Sequence, residues 1–205
     1  MRKRSILALA GLAATLAMAL GVSSASANNI SLSHLLTRAI WSELEFRGGF
    51  GTVRCAVTLE SSFHESTIRK VLGALIGYVT GATVGTCAQG SATVLRETLP
   101  WHIQYGGFRG TLPEFTGVIE RLIGASFRIR EPIFRAECLA RTEVNNPSIG
   151  IVEAITWERG GNGIVSRLNA EGGARIPCGA FTGSFEGGAT VTENAGAANV
   201  LLRLI

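Results

Sequence analysis

The chain has 205 residues, of which 46% are hydrophobic and 17% charged, and its formal net charge is +4. Three of the cations fall within the first four residues, so the rest is near neutral with no basic stripe, and no nucleic-acid partner is expected. There is no Asp; all 15 acids are Glu, which excludes Asp-dyad proteolysis, calcium loops of the D-x-D-x-D-G type and the usual Ser-His-Asp triad.

The chain opens with Arg2, Lys3 and Arg4, an uncharged apolar run from Ile6 to Val22, and a small-residue site at Ala25-Ser26-Ala27. These three regions predict a secretory signal peptide over 1–27, followed by a single β-rich domain over 28–205. The apolar run is 17 residues long, shorter than the about 20 that span a bilayer as a helix. No later stretch is long and apolar enough, so no transmembrane helix is expected after signal cleavage. The predicted localisation is secreted or extracellular, with retention at the cell wall an open alternative.

Residues 30–40 admit a helix. Ile40, Leu44 and Phe46 then fall in strand phase, and "RGGFG" supplies the glycines of a hairpin turn. In "GTVRCAVTLES", Val53, Cys55, Val57 and Leu59 alternate with Thr52, Arg54, Thr58 and Glu60, the period of a half-buried strand. Residues 66–80 are ambiguous. Ile68, Val71, Leu72, Leu75, Ile76 and Val79 have helical spacing, but Gly73, Gly77 and the β-branched residues favour strand.

In "ETLPWHIQYGGFRGTLP", Trp101, Ile103 and Tyr105 alternate with His102 and Gln104. The spacing predicts a hairpin with a buried aromatic face, an outward His102, a turn at Gly106-Gly107 and a return from Phe108. Further strands are expected at Ala125-Phe127-Ile129, Phe134-Ala136-Cys138-Ala140, Ile149-Ile151-Ile155-Trp157, Ile164-Leu168 and the terminal "NVLLRLI", separated by glycine-rich turns. Short strands at this spacing predict a mainly β fold: an antiparallel β-sandwich or β-barrel with at most one or two short helices.

Cys55, Cys87, Cys138 and Cys178 all lie in the part expected to be exported. Their even number in an oxidising compartment predicts two disulfides, with the pairing open. Zinc is the competing reading, but their separations of 32, 51 and 40 residues lack C-x2-C spacing. The histidines are His34, His64 and His102, with no H-x-x-x-H or H-x-H spacing, so no metal site is assigned. His64, Glu65 and His102 are the candidates for acid–base chemistry; Trp101 and Tyr105 are the candidates for ligand contact. There is no G-x-S-x-G, P-loop or dinucleotide motif, and no cofactor is expected. The alternating segments also fit a membrane β-barrel, but many are short, and their outward faces carry Arg and Glu.

The blocks "VRCAVTLESSFHESTIRKVLGALIGYVTGATVGTC" and "ATVLRETLPWHIQYGGFRGTLP", with the terminal "NVLLRLI", resemble a set of small secreted proteins of high-GC Gram-positive bacteria. The resemblance implies export and a shared β-rich fold, and it brings no catalytic residue. The sequence therefore points to a secreted or envelope-associated, non-enzymatic β domain that binds a partner or a small apolar ligand. The rival is a secreted hydrolase using His64, His102 and Glu. That rival needs the two histidines within about 12 Å of each other.

Overall fold

The computed structural model describes residues 29–48, 51–111, 114–132, 137–142, 154–158, 168–178, 181–193, 200 and 202–204. For 111, 114–116, 154–158, 168–178, 181–193 and 203–204 only the backbone is described. The expected signal peptide lies outside these residues, as do the expected strand positions Phe134, Ala136, Ile149, Ile151 and Ile164.

The chain is antiparallel β, as its alternation predicts. The strands are β1 (Asn29–Leu32), β2 (Leu36–Gly48), β3 (Gly51–Phe63), β4 (Thr67–Arg69), β5 (Leu75–Ala88), β6 (Ser91–Val94), β7 (Trp101–Thr111), β8 (Glu114–Ile123), β9 (Ser126–Arg130), β10 (Glu137–Arg141), β11 (Ala154–Glu158), β12 (Leu168–Cys178), β13 (Phe181–Glu193) and β14 (Leu202–Leu204). Eight of them form one sheet in the order β11-β8-β7-β5-β3-β2-β13-β12. Its two end strands, β11 and β12, lie beside one another, so the sheet curls back on itself. Bulges in β2, β5, β7 and β8 supply the bending that such curvature requires. Two three-stranded sheets, β14-β1-β4 and β10-β9-β6, complete the fold.

The core is the inner face of the curled sheet, covered by the small sheets. Val53, Cys55, Val57 and Leu59 of β3 are buried, and Thr52, Arg54, Thr58 and Glu60 are not. From β9, Phe127 reaches in to stack at 5.3 Å from Phe46 and 5.4 Å from Trp101, centroid to centroid. Such aromatic rings withdraw about 150–250 Å2 each from water. At about 25 cal/mol per Å2, that is worth about 4–6 kcal/mol per ring against an extended chain. A 3-10 turn at Arg96–Thr98 sets the entry to β7: the Trp101 indole N–H donates to Thr98 Oγ1 at 2.8 Å, and that hydroxyl donates to the Leu95 carbonyl at 2.7 Å.

Four local expectations are corrected. Residues 30–40 are not helical; they form β1 and the start of β2. Residues 66–80 also contain no helix. Val71–Ala74 is a β-turn closed by a hydrogen bond from Ala74 N–H to the Val71 carbonyl, with Gly73 at φ +77°. Leu72 and Gly73 hold the two central positions, and a positive φ at the second is what glycine permits. Within β2 the inward phase belongs to Trp41, not Ile40, because a bulge between Trp41 and Leu44 shifts the alternation by one residue. Finally, Gly106-Gly107 is not a hairpin turn. Strand β7 runs on to Thr111, and Gly107, at φ +131°, sits at a bulge opposite Ile119.

Candidate functional site

Register, rather than local sequence, assembles the most distinctive outer surface. Leu36 pairs with Ser62, Ser62 with Tyr78, Tyr78 with His102, and His102 with Ile123. Residues directly opposed across a sheet project from the same face. The inward neighbours Thr37, Phe63, Val79, Trp101 and Ile103 are buried, so this row of five faces outward. Four interstrand steps of about 4.8 Å give it a span of about 19 Å.

Rings gather at its centre. Tyr78 lies 5.0 Å from His64 and 5.4 Å from His102, centroid to centroid, which places the two imidazoles within about 10.4 Å of each other. Both histidines are exposed and Tyr78 is half-buried between them. The tilts of 53° and 67° make the row ridged instead of flat. His64 is fixed from behind by its backbone N–H, which donates to the Ile76 carbonyl at 3.0 Å.

Beside His64 opens a cleft of about 290 Å3, lined by His64, Glu65, Thr67, Arg69, Leu75 and Ile76 among others. It brings a carboxylate and a guanidinium, both exposed, to one small concavity. Leu75, 37% exposed, adds an apolar edge. A second, larger cleft of about 610 Å3 is lined by Gly90, Ser91, Arg130, Glu131, Pro132 and Glu137. Its Arg130 and Glu137 already pair at 2.8 Å, and Glu137 also meets Arg128 at 3.0 Å. The first cleft therefore has the freer polar groups.

The other sequence candidates lie elsewhere. His34 is in the β1–β2 loop with Nδ1 2.8 Å from Ser33 Oγ. Trp101 and Tyr105 face the core at 1% exposure each. Cys55 and Cys87 oppose one another across β3 and β5 and form a disulfide, with Cα atoms 4.0 Å apart. Cys138 is also disulfide-bonded; the side chain of Cys178 is outside the described part. Among the described residues, no group of three or more His, Cys or Glu side chains is placed to hold a metal ion.

The carboxylate whose titration is most clearly set by its neighbours is Glu45, away from this row. Arg54 first and Arg47 second donate hydrogen bonds that hold its carboxyl below the ordinary range. Sequence reasoning missed Leu36, Tyr78 and Arg69. Within its strand Tyr78 only alternates with Val79, and nothing short of the β3–β5–β7 register reveals that it stands between two histidines.

No family model, curated protein or solved structure matches the chain.

Proposed function

We propose that this chain is a secreted or envelope-associated, non-enzymatic β domain that binds a neutral, hydroxyl- or amide-rich polymer, such as a cell-wall glycan, along its outer row. The observation that carries this reading is the register Leu36–Ser62–Tyr78–His102–Ile123, with His64 and the cleft beside it. A row about 19 Å long fits an extended ligand better than a single ring. Tyr78 and the imidazoles offer ring faces and polar edges. Glu65 and Arg69 carry opposite charges in one cleft, which suits a ligand with hydrogen-bonding groups and no net charge. Both clefts have charged linings, so a polar ligand is favoured over the small apolar one that the sequence suggested.

Two further observations fit. On β2 and β3 the apolar residues face inward and ion pairs face outward: Arg38–Glu60 at 2.9 Å and Arg54–Glu45 at 2.7 Å. A membrane barrel would reverse that arrangement on its lipid face. No helix among the described residues is long and apolar enough to cross a membrane, and the Cys55–Cys87 disulfide fits an oxidising compartment.

The hydrolase reading keeps one supporting observation: His64 and His102 lie inside the about 12 Å that it needs. Tyr78 stands between them, however, and His102 does not line the cleft that holds Glu65. The test is retention on immobilised peptidoglycan, with release of soluble fragments measured in parallel. Binding without release, weakened at least about tenfold by Tyr78→Ala, is the expected result; loss of an anchoring aromatic contact is worth that much. Undiminished binding by Tyr78→Ala overturns the proposed row. Fragment release abolished by His64→Ala favours the hydrolase.

A further inference from the structure

The tip of the β4–β5 turn, Val71 and Leu72, is an apolar projection outside the binding row and its cleft. Leu72 is 73% exposed and Val71 is 58% exposed, the two highest values among the exposed large hydrophobic residues described. Neither is a frayed end. Ala74 N–H closes the turn on the Val71 carbonyl at 3.0 Å, Gly73 N–H donates to the Tyr105 carbonyl at 2.8 Å, and Tyr105 N–H donates to the Ala74 carbonyl at 2.9 Å. The turn is pinned to β7, and its exposed side chains are held out from the fold at little further cost in order.

The charged residues nearest it in sequence are cations. Arg69 and Lys70 immediately precede Val71, and the Lys70 ammonium lies 5.8 Å over the Phe108 ring, next to exposed Arg109. From Ser66 to Arg96 the chain carries no carboxylate; Glu65, across the cleft, is the nearest acid in sequence. Two exposed apolar side chains on a rigid tip, backed by cations, match the boundary between lipid headgroups and acyl chains. A second copy of the same tip would set these cations against each other, so charge complementarity favours an anionic lipid surface over self-association.

We propose that the Val71–Ala74 turn is a membrane-contact tip: Val71 and Leu72 enter the interface of an anionic bilayer while Lys70 and Arg69, which also borders the cleft, engage its headgroups. Each cation near such a surface strengthens binding about fivefold. The contact is therefore salt-sensitive and of moderate strength.

The test uses the full chain and places a reporter at the tip, because the apolar N-terminal run is able to bind vesicles by itself. The Leu72→Trp variant is mixed with vesicles of phosphatidylglycerol and phosphatidylcholine in equal parts, with and without brominated acyl chains. The fluorescence of the unsubstituted protein is subtracted. The expected result is a blue shift and bromine quenching at position 72. Both are absent with phosphatidylcholine alone, reversed by molar salt, and weakened at least about tenfold in lipid concentration by adding Arg69→Gln and Lys70→Gln. No tip response on vesicles that the protein nonetheless binds overturns the proposal, since another segment is then responsible. So does a blue shift that develops with protein concentration in the absence of lipid, which would assign the tip to a second copy.

Discussion

Leu59 and Leu72 are the same residue thirteen positions apart, yet one is 4% exposed and the other 73%. Leu59 sits on a strand whose two-residue period sends it into the core beside Val57 and Val79. Leu72 sits at the first central position of a turn pinned to β7, where its side chain stays mostly in solvent. Apolar character alone does not decide burial; phase within a strand and turn geometry do. The contrast separates what holds this protein together from what it presents outward.

The sharpest way to break that comparison is to truncate both residues. Leu59→Ala should lose about 2–5 kcal/mol, the cost of deleting a buried leucine side chain and leaving a cavity. Leu72→Ala should change stability by less than about 0.5 kcal/mol. Chemical unfolding of the two variants checks this, and equal losses would show that the tip is structural. Gly77→Ala should come next. A Cβ there would stand 2.6 Å from the Ser62 carbonyl oxygen, inside the β3–β5 pairing that carries the outer row. A loss of about 1–3 kcal/mol is expected from such crowding, and an unchanged midpoint would mean that the strands yield freely.

Tyr105→Phe should act in the opposite direction. The Tyr105 hydroxyl is buried without a hydrogen-bond partner, and burial pushes its pKa above the ordinary phenol value. Removing it should gain about 1 kcal/mol. A loss on unfolding analysis would instead give that hydroxyl a partner or a task inside the core.

The smallest effect is electrostatic. The folded pKa of Glu45 is depressed by hydrogen bonds from Arg54 and Arg47. Its contribution is therefore complete at neutral pH, fades as pH falls through the ordinary carboxylate range, and is gone below the folded value. Glu45→Gln should flatten that part of the acid limb in a profile of Tm against pH. The effect should be slight, because the group is well solvated. A variant profile that overlays the parent would contradict it.

Much of the architecture is legible from single-strand alternation. The inward set of β3 and the Trp101-Ile103-Tyr105 face follow directly from period two. The phase of Ile40 fails because a bulge inserts a residue that no local pattern announces, and the Gly106-Gly107 turn fails because two glycines serve a bulge as readily as a hairpin. The helical spacing in 66–80 is real, but Gly73 at positive φ cuts it into strand, turn and strand. The candidate site was only half legible. His64 and His102 stood out as rare residues, while Leu36 and Tyr78 join them through pairings of high sequence separation.

The central claim is that ligand recognition belongs to the outer row and not to the aromatic interior. Its most direct test is a backbone amide NMR titration of the protein with soluble peptidoglycan fragments. The predicted result is a set of shifts confined to Leu36, Ser62–Arg69, Ala74–Tyr78, His102 and Ile123, with Val57, Leu59, Phe127 and Ile129 unmoved. Shifts centred on those interior residues and on Trp101 and Tyr105, with the outer row silent, would contradict the account and move the site inside the barrel.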